Sequence, residues 1–157
     1  MSHFDKAFED LMDREGGFTI DKGGKTRFGI TEKVARNYGY LYETEKLPLE
    51  TAKEIYKKYY WHKAFDQFSY PVAFQVFDAA VNSGQRTAAV WLQMVAGVTA
   101  DGIIGPRTIE AVNAMPEEKV VLLFNTRRLD FMTRLSNWPE AGKGWARRIV
   151  KNMLMVT

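Results

Sequence analysis

The sequence has no cysteine. That excludes disulfides, iron–sulfur clusters and cysteine-ligated zinc, and it leaves the redox compartment undecided, because a reduced protein and a disulfide-free exported one look alike. Histidine is almost as scarce: His3 and His62 lie far apart and outside any HExxH pattern, so neither a metal site nor a cofactor is expected. No stretch approaches the ~18 consecutive apolar residues of a membrane-crossing helix. The start, MSHFDKAFEDLMDREGG, alternates charged and apolar residues at helical spacing and lacks the basic start and apolar run of a signal peptide. The expectation is therefore a product made in the cytoplasm, without stable membrane insertion, that relies on another agent if it acts beyond the membrane. Repeats, low-complexity tracts and a linker that would divide the chain are also lacking.

What is present fits one compact domain over residues 1–157, long enough to bury roughly 68 to 70% of its unfolded surface. A net charge of +3 favours encounter with polyanions such as cell-wall polymers, nucleic acid or acidic lipid, without choosing among them. Aromatic residues make up 13% of the chain, four of them tryptophan, as suits both sugar-binding clefts and cores.

Ser2 can cap a helix over residues 3–14, where Phe4, Ala7, Phe8 and Leu11 form a buried stripe and Gly16–Gly17 end it. Glu15 then sits at the helix C-terminus, where an acid is unfavourable beside the negative end of the dipole, a local conflict of the kind functional sites carry. Phe18, Ile20, Phe28 and Ile30 alternate with polar residues around DKGGK, which reads as a β-hairpin. Thr31 caps ITEKVARNYG, and Gly39 stops it. Further helices follow Pro48, with Leu49, Ala52, Ile55, Tyr56 and Tyr59 on one face, and Pro71, where VAFQVFDAAVNSG is strongly apolar up to Gly84. QRTAAVWLQMVAG, RTIEAVNA after Pro106, EEKVVLLFNTRRLDFMTRLSNW after Pro116, and a last helix through GWARRIVKNMLMV complete the chain. About seven helices and one small hairpin near the N-terminus make the fold mainly α.

EGGF, GGKTRFGIT, YYW, FDAAVNSG, LQ, DGIIGPRT and GKGWARRI occur in this order. Together they resemble glycoside hydrolase family 108, the N-acetylmuramidases of many phage endolysins, over nearly the whole chain. The resemblance implies a lysozyme-like α+β fold with a catalytic half over 1–84 and a peptidoglycan-binding helical half over 85–157. It implies hydrolysis of the β-1,4 bond between N-acetylmuramic acid and N-acetylglucosamine, with bacterial peptidoglycan as partner and the glutamate of EGG, here Glu15, as catalytic acid. More distant lysozymes add an aspartate and a threonine on the following hairpin, for which Asp21 and Thr26 are the candidates. The family often carries a longer segment with two aspartates here and an asparagine after the threonine. This chain has FTIDKGG and then Arg27, which leaves open which aspartate Asp21 replaces. A monomer that waits in the host cytoplasm for a separate holin completes the expectation.

Glycoside cleavage near neutral pH needs a protonated carboxylic acid for the leaving oxygen and a carboxylate that assists at the anomeric carbon. Apolar neighbours such as Phe18 and the helix end can raise the pKa of Glu15, while Gly16 and Gly17 let a polysaccharide approach the backbone. A solvent-exposed glutamate beside a glycine stop has the same sequence. Asp21 can equally be a turn residue, and Thr26 a cross-strand partner. Asp78 and Asn82, four apart, share one helix face; in an apolar helix they either border the cleft or form a buried hydrogen-bonded pair. Tyr60 and Trp61 can stack on sugar or pack in the core. DGIIGPRT reads mainly as the tight loop before a helix, and in GKGWARRI Trp145 is expected inward while Arg147 and Arg148 face the wall polymer.

Two other classes compete. A non-catalytic peptidoglycan-binding protein would bind sacculi without releasing reducing ends, and an exported bacterial muramidase effector would share every motif. Nucleic acid is not expected as a partner: Arg127, Arg128, Arg147, Arg148 and Lys151 are interspersed with apolar residues as on any solvated helix face, and no nucleic-acid motif occurs.

Overall fold

The computed structural model describes residues 2–14, 18–21 and 24–157, with the backbone alone at Phe18, Thr19 and Asp21. The described residues form eight α-helices and one small sheet, so the chain is mainly helical as expected. They divide into two compact units, Met1–Trp61 and His62–Thr157.

In the first unit, helix α1 (His3–Met12) begins where the Ser2 hydroxyl accepts from Asp5 N–H, and its predicted stripe of Phe4, Ala7, Phe8 and Leu11 is buried. It ends at Met12, two residues short of the predicted boundary. Strand β1 (Phe18–Asp21) pairs antiparallel with β2 (Gly24–Arg27), with Thr19 opposite Thr26 and Asp21 opposite Gly24. A two-residue strand β3 (Ile30–Thr31) adds to β2, placing Thr31 opposite Thr26 and making the sheet three-stranded. The predicted alternation through Phe28 therefore breaks. Phe28 occupies a turn with φ of 54°, a left-handed conformation costly for a side chain with Cβ. The Tyr56 hydroxyl donating to Phe28 O at 2.6 Å and the Arg27 guanidinium 4.6 Å above its ring hold it there.

Helix α2 (Glu32–Tyr38) starts on the Thr31 hydroxyl, which accepts from Val34 N–H, and stops at left-handed Gly39. Helix α3 (Leu49–Tyr59) buries Ala52, Ile55 and Tyr56. Leu49, predicted on that face, is exposed at the first turn.

In the second unit, helix α4 (Tyr70–Ser83) is buried without interruption from Val72 to Ala80, as a helix surrounded by others must be. It packs on α5 (Gln85–Ala96) and α7 (Glu117–Thr133); α5 also meets α6 (Pro106–Asn113), and α7 meets α8 (Trp138–Met153). α7 ends at Thr133 and α8 begins at Trp138, several residues earlier than the pattern of GWARRIVKN suggested. Pro139 lies in the first turn, where its missing N–H costs nothing.

Candidate functional site

Glu15, Gly16 and Gly17, the predicted acid and its glycines, lie outside the described residues. Their frame is described: α1 ends at Met12 and β1 starts at Phe18, so EGG joins a helix end to a strand. Asp21 closes β1 opposite Gly24, whose φ of 98° suits a residue without Cβ at the hairpin turn. Thr26, opposite both Thr19 and Thr31, is half-buried. Because alternate residues of a strand and their direct partners share a face, the register puts positions 21 and 26 on the same face of the sheet. Beside it, Gly24, Lys25, Thr31, Glu32, Lys33 and Arg36 help line an open groove of about 620 Å³.

Tyr60 and Trp61, candidates for sugar stacking, face their own unit. Trp61 is 8% exposed and meets Phe4 edge-on at 5.5 Å. Tyr60 leans on Tyr56 at 5.5 Å, and burial pushes its phenol above the ordinary tyrosine range. For Trp61 the packing alternative fits, since a ring so enclosed presents no face to a glycan.

Asp78 does not border a cleft. It is fully buried in the second unit and receives Arg128 Nη1 at 2.6 Å, Arg148 Nε at 3.0 Å and Asn152 Nδ2 at 2.9 Å. Burial alone would raise its pKa, but the charges of Arg128 and then Arg148, with their hydrogen bonds, outweigh it and hold the carboxyl well below the usual carboxylate range. Arg148, expected to face the polymer, is thus committed to Asp78. Asn82 lies one turn on from Asp78 and is exposed. Oriented with its amide oxygen toward the cations, it accepts from Arg128 Nη2 at 2.7 Å and Arg148 Nη2 at 3.3 Å. The predicted common face of Asp78 and Asn82 is real, and both side chains meet the same two arginines.

A second polar centre sits on α5. Gln93, 1% exposed, donates to Asp101 Oδ1 and Ile103 O, each at 2.9 Å, and to Thr108 Oγ1 at 3.2 Å, while its oxygen accepts from Gly102 N–H at 2.8 Å. One carboxamide therefore fixes the whole DGIIGPRT loop onto α5. Hydrogen bonds from Ile103 N–H and then Gln93 lower the Asp101 carboxyl. The loop borders a cavity of about 530 Å³ that Gln93, Asp101, Arg107 and Thr108 help line. Among the described residues, no group of three or more histidine and acidic side chains is placed to hold a metal, and no helix is long and apolar enough to cross a membrane.

The family profile described as "Glycosyl hydrolase 108" matches residues 8–84. A solved structure titled "Structure of Brucella abortus SagA" is similar to this chain at 31% identity, covering 97% of it and 92% of that protein, with a TM-score of 0.87. The chain belongs to glycosyl hydrolase family 108. A second profile, "Predicted Peptidoglycan domain", matches residues 87–150, and no curated protein matches. This family 108 chain is accordingly a glycoside hydrolase joined to a peptidoglycan-binding domain.

The two profiles meet between residues 84 and 87, whereas the compact units divide after Trp61. The difference is α4, which belongs to the hydrolase stretch in sequence and packs on α5 and α7 in space. Gln93 stood in the LQ motif, but reading by motif gave it no role. The signal was available: a glutamine set among apolar residues near the end of a helix, preceding a loop whose backbone groups need partners, is the kind of side chain that satisfies them.

Proposed function

We propose that this family 108 hydrolase cleaves the β-1,4 bond between N-acetylmuramic acid and N-acetylglucosamine in bacterial peptidoglycan, with Glu15 as general acid. The observation that carries the reading is the order of the two matches, a glycosyl hydrolase over 8–84 followed directly by a peptidoglycan domain over 87–150. A glycosidase attached to a wall-binding unit has the glycan of that wall as its natural substrate.

In this reading Glu15 donates its proton to the bridging oxygen as the glycosidic bond breaks. Asp21 and Thr26 hold a water on the opposite face of the sugar. The water oxygen bonds to the anomeric carbon and its proton passes to Asp21, which gives inversion. The shared sheet face of positions 21 and 26 supports pairing them in this task. Gly16 and Gly17 leave room for the chain of sugars. The biological setting we infer is host-cell lysis by a phage endolysin that stays in the cytoplasm until a separate holin opens the membrane.

Glu15→Gln keeps the charge-free shape of a protonated acid but cannot donate its proton. The variant should retain the circular dichroism of the parent and lose lysis of bacterial walls; a near-parental rate overturns the role. Mass analysis of digested sacculi should find chains ending in reducing N-acetylmuramic acid, and reducing N-acetylglucosamine ends would assign the other bond.

A further inference from the structure

The four tryptophans fall into two kinds. Trp61 and Trp91 are 8% and 9% exposed and pack on other rings. Trp138 and Trp145 are only half-buried, with ring centroids 6.1 Å apart and planes at 49°, and neither indole N–H has a hydrogen-bond partner among the described residues. Seven residues apart on α8, they project from the same helix face.

The helix is adapted to this pair. Gly142 lies between them and is buried under the Trp138 ring: a Cβ there would come within 2.5 Å of Trp138 Cε2. Glycine inside a helix weakens it relative to alanine, so the position gives up helix stability and gains a ring lying flat on the backbone. One turn beyond Trp145 stands Arg148, held by Asp78, and against Arg148 rests the exposed Asn82. With the Asn82 oxygen committed to the two guanidinium groups, its NH₂ is left on the far side of the amide as a hydrogen-bond donor.

We propose that Trp145, with Trp138 beside it and the Asn82 amide resting on Arg148 one turn further along, is a stacking subsite for a pyranose ring of the peptidoglycan glycan. A pyranose has an apolar face of axial C–H groups and a rim of hydroxyl and acetamido groups, so it matches a flat ring with a neutral amide donor nearby. Both tryptophans lie within the stretch matched by the peptidoglycan profile. The subsite rests on the reading that the glycan is the substrate, and it assigns the sugar contact to α8 rather than to Trp61 or to the loop around Asp101.

The test is calorimetric titration of the full-length Glu15→Gln protein with a peptide-free tetrasaccharide of alternating N-acetylglucosamine and N-acetylmuramic acid, and separately with the free stem peptide. Trp145→Leu, which keeps apolar bulk and removes the ring, should weaken tetrasaccharide binding about tenfold, whereas Trp145→Phe should recover most of it. Melting temperatures identify any variant that has lost its fold, and Asn82→Ala, at an exposed position, gives a second reading with an expected severalfold loss. Parental affinity in Trp145→Leu, equal loss in Trp145→Leu and Trp145→Phe, or a response to the stem peptide alone overturns the subsite. Those outcomes leave the muramidase reading intact, because that stands or falls on the reducing ends released by the unmodified protein.

Discussion

In Met1–Trp61 the interior is mainly apolar: the rings of Phe4, Phe8, Tyr56 and Trp61 meet at 5.5 to 6.2 Å beside Leu11, Ile30, Leu47 and Ile55, and Thr44 is the buried polar residue among those described. In His62–Thr157 the interior holds charge and amides as well. Asp78 binds Arg128, Arg148 and Asn152; Gln93 binds the Asp101–Thr108 loop; and Asn125 Nδ2 donates to Gln75 Oε1 at 3.0 Å. The contrast teaches what each interior does. A ring cluster stabilises through non-directional burial and constrains geometry weakly, whereas a buried ion cluster adds little net stability but tolerates only one arrangement of its helices. The first unit can therefore tolerate change at many positions, while the second depends on a few.

The largest break in that comparison should come from Asp78→Ala. It leaves Arg128 buried beside an empty anion position, and we expect a loss of about 3 to 5 kcal/mol in chemical denaturation. The same carboxyl gives a pH signature. Its pKa is lowered on folding, so its contribution is present above its ordinary value of 3.8 and is lost as pH falls below it. Stability of the parent should decline more steeply between pH 5 and pH 2 than that of Asp78→Ala; parallel profiles would show that the ion cluster is not linked to folding.

Gln93→Ala should have the next effect, about 1 to 3 kcal/mol, because it strands the buried Thr108 hydroxyl and the loop groups that the carboxamide serves. Hydrogen exchange should rise at Gly102 and Ile103 before it rises elsewhere in the second unit. Smallest is Tyr56→Phe in the first unit, expected to cost about 1 kcal/mol for the lost bond to Phe28 O while leaving the ring cluster intact. A loss as large as that of Asp78→Ala would mean that the left-handed turn at Phe28, rather than the rings, holds the first unit together.

Much of this was readable from residue order. Ser2 and Thr31 are helix caps, Gly39 is a stop, and the stripe Phe4–Ala7–Phe8–Leu11 is buried, because caps, stops and stripes act within a turn or two of chain. The departures share a cause. Phe28 left the strand because Tyr56 takes its carbonyl from 28 residues away, and Arg148 turned from the polymer because an aspartate 70 residues distant claims it. Trp145, expected inward, is half-buried, although Gly142 and Ile149 on either side of it along α8 are buried.

The letters alone determined the family, the helical class and the short hairpin that carries Asp21 and Thr26, since each follows from local spacing and from motifs in a fixed order. Tertiary structure alone decided which polar residues serve the interior and which stay at the surface. Asp78 and Asn82 look equivalent on a helical wheel. Only packing could show that one is sealed among arginines while the other stands exposed at their edge, because burial depends on helices that meet across distances the local pattern does not encode.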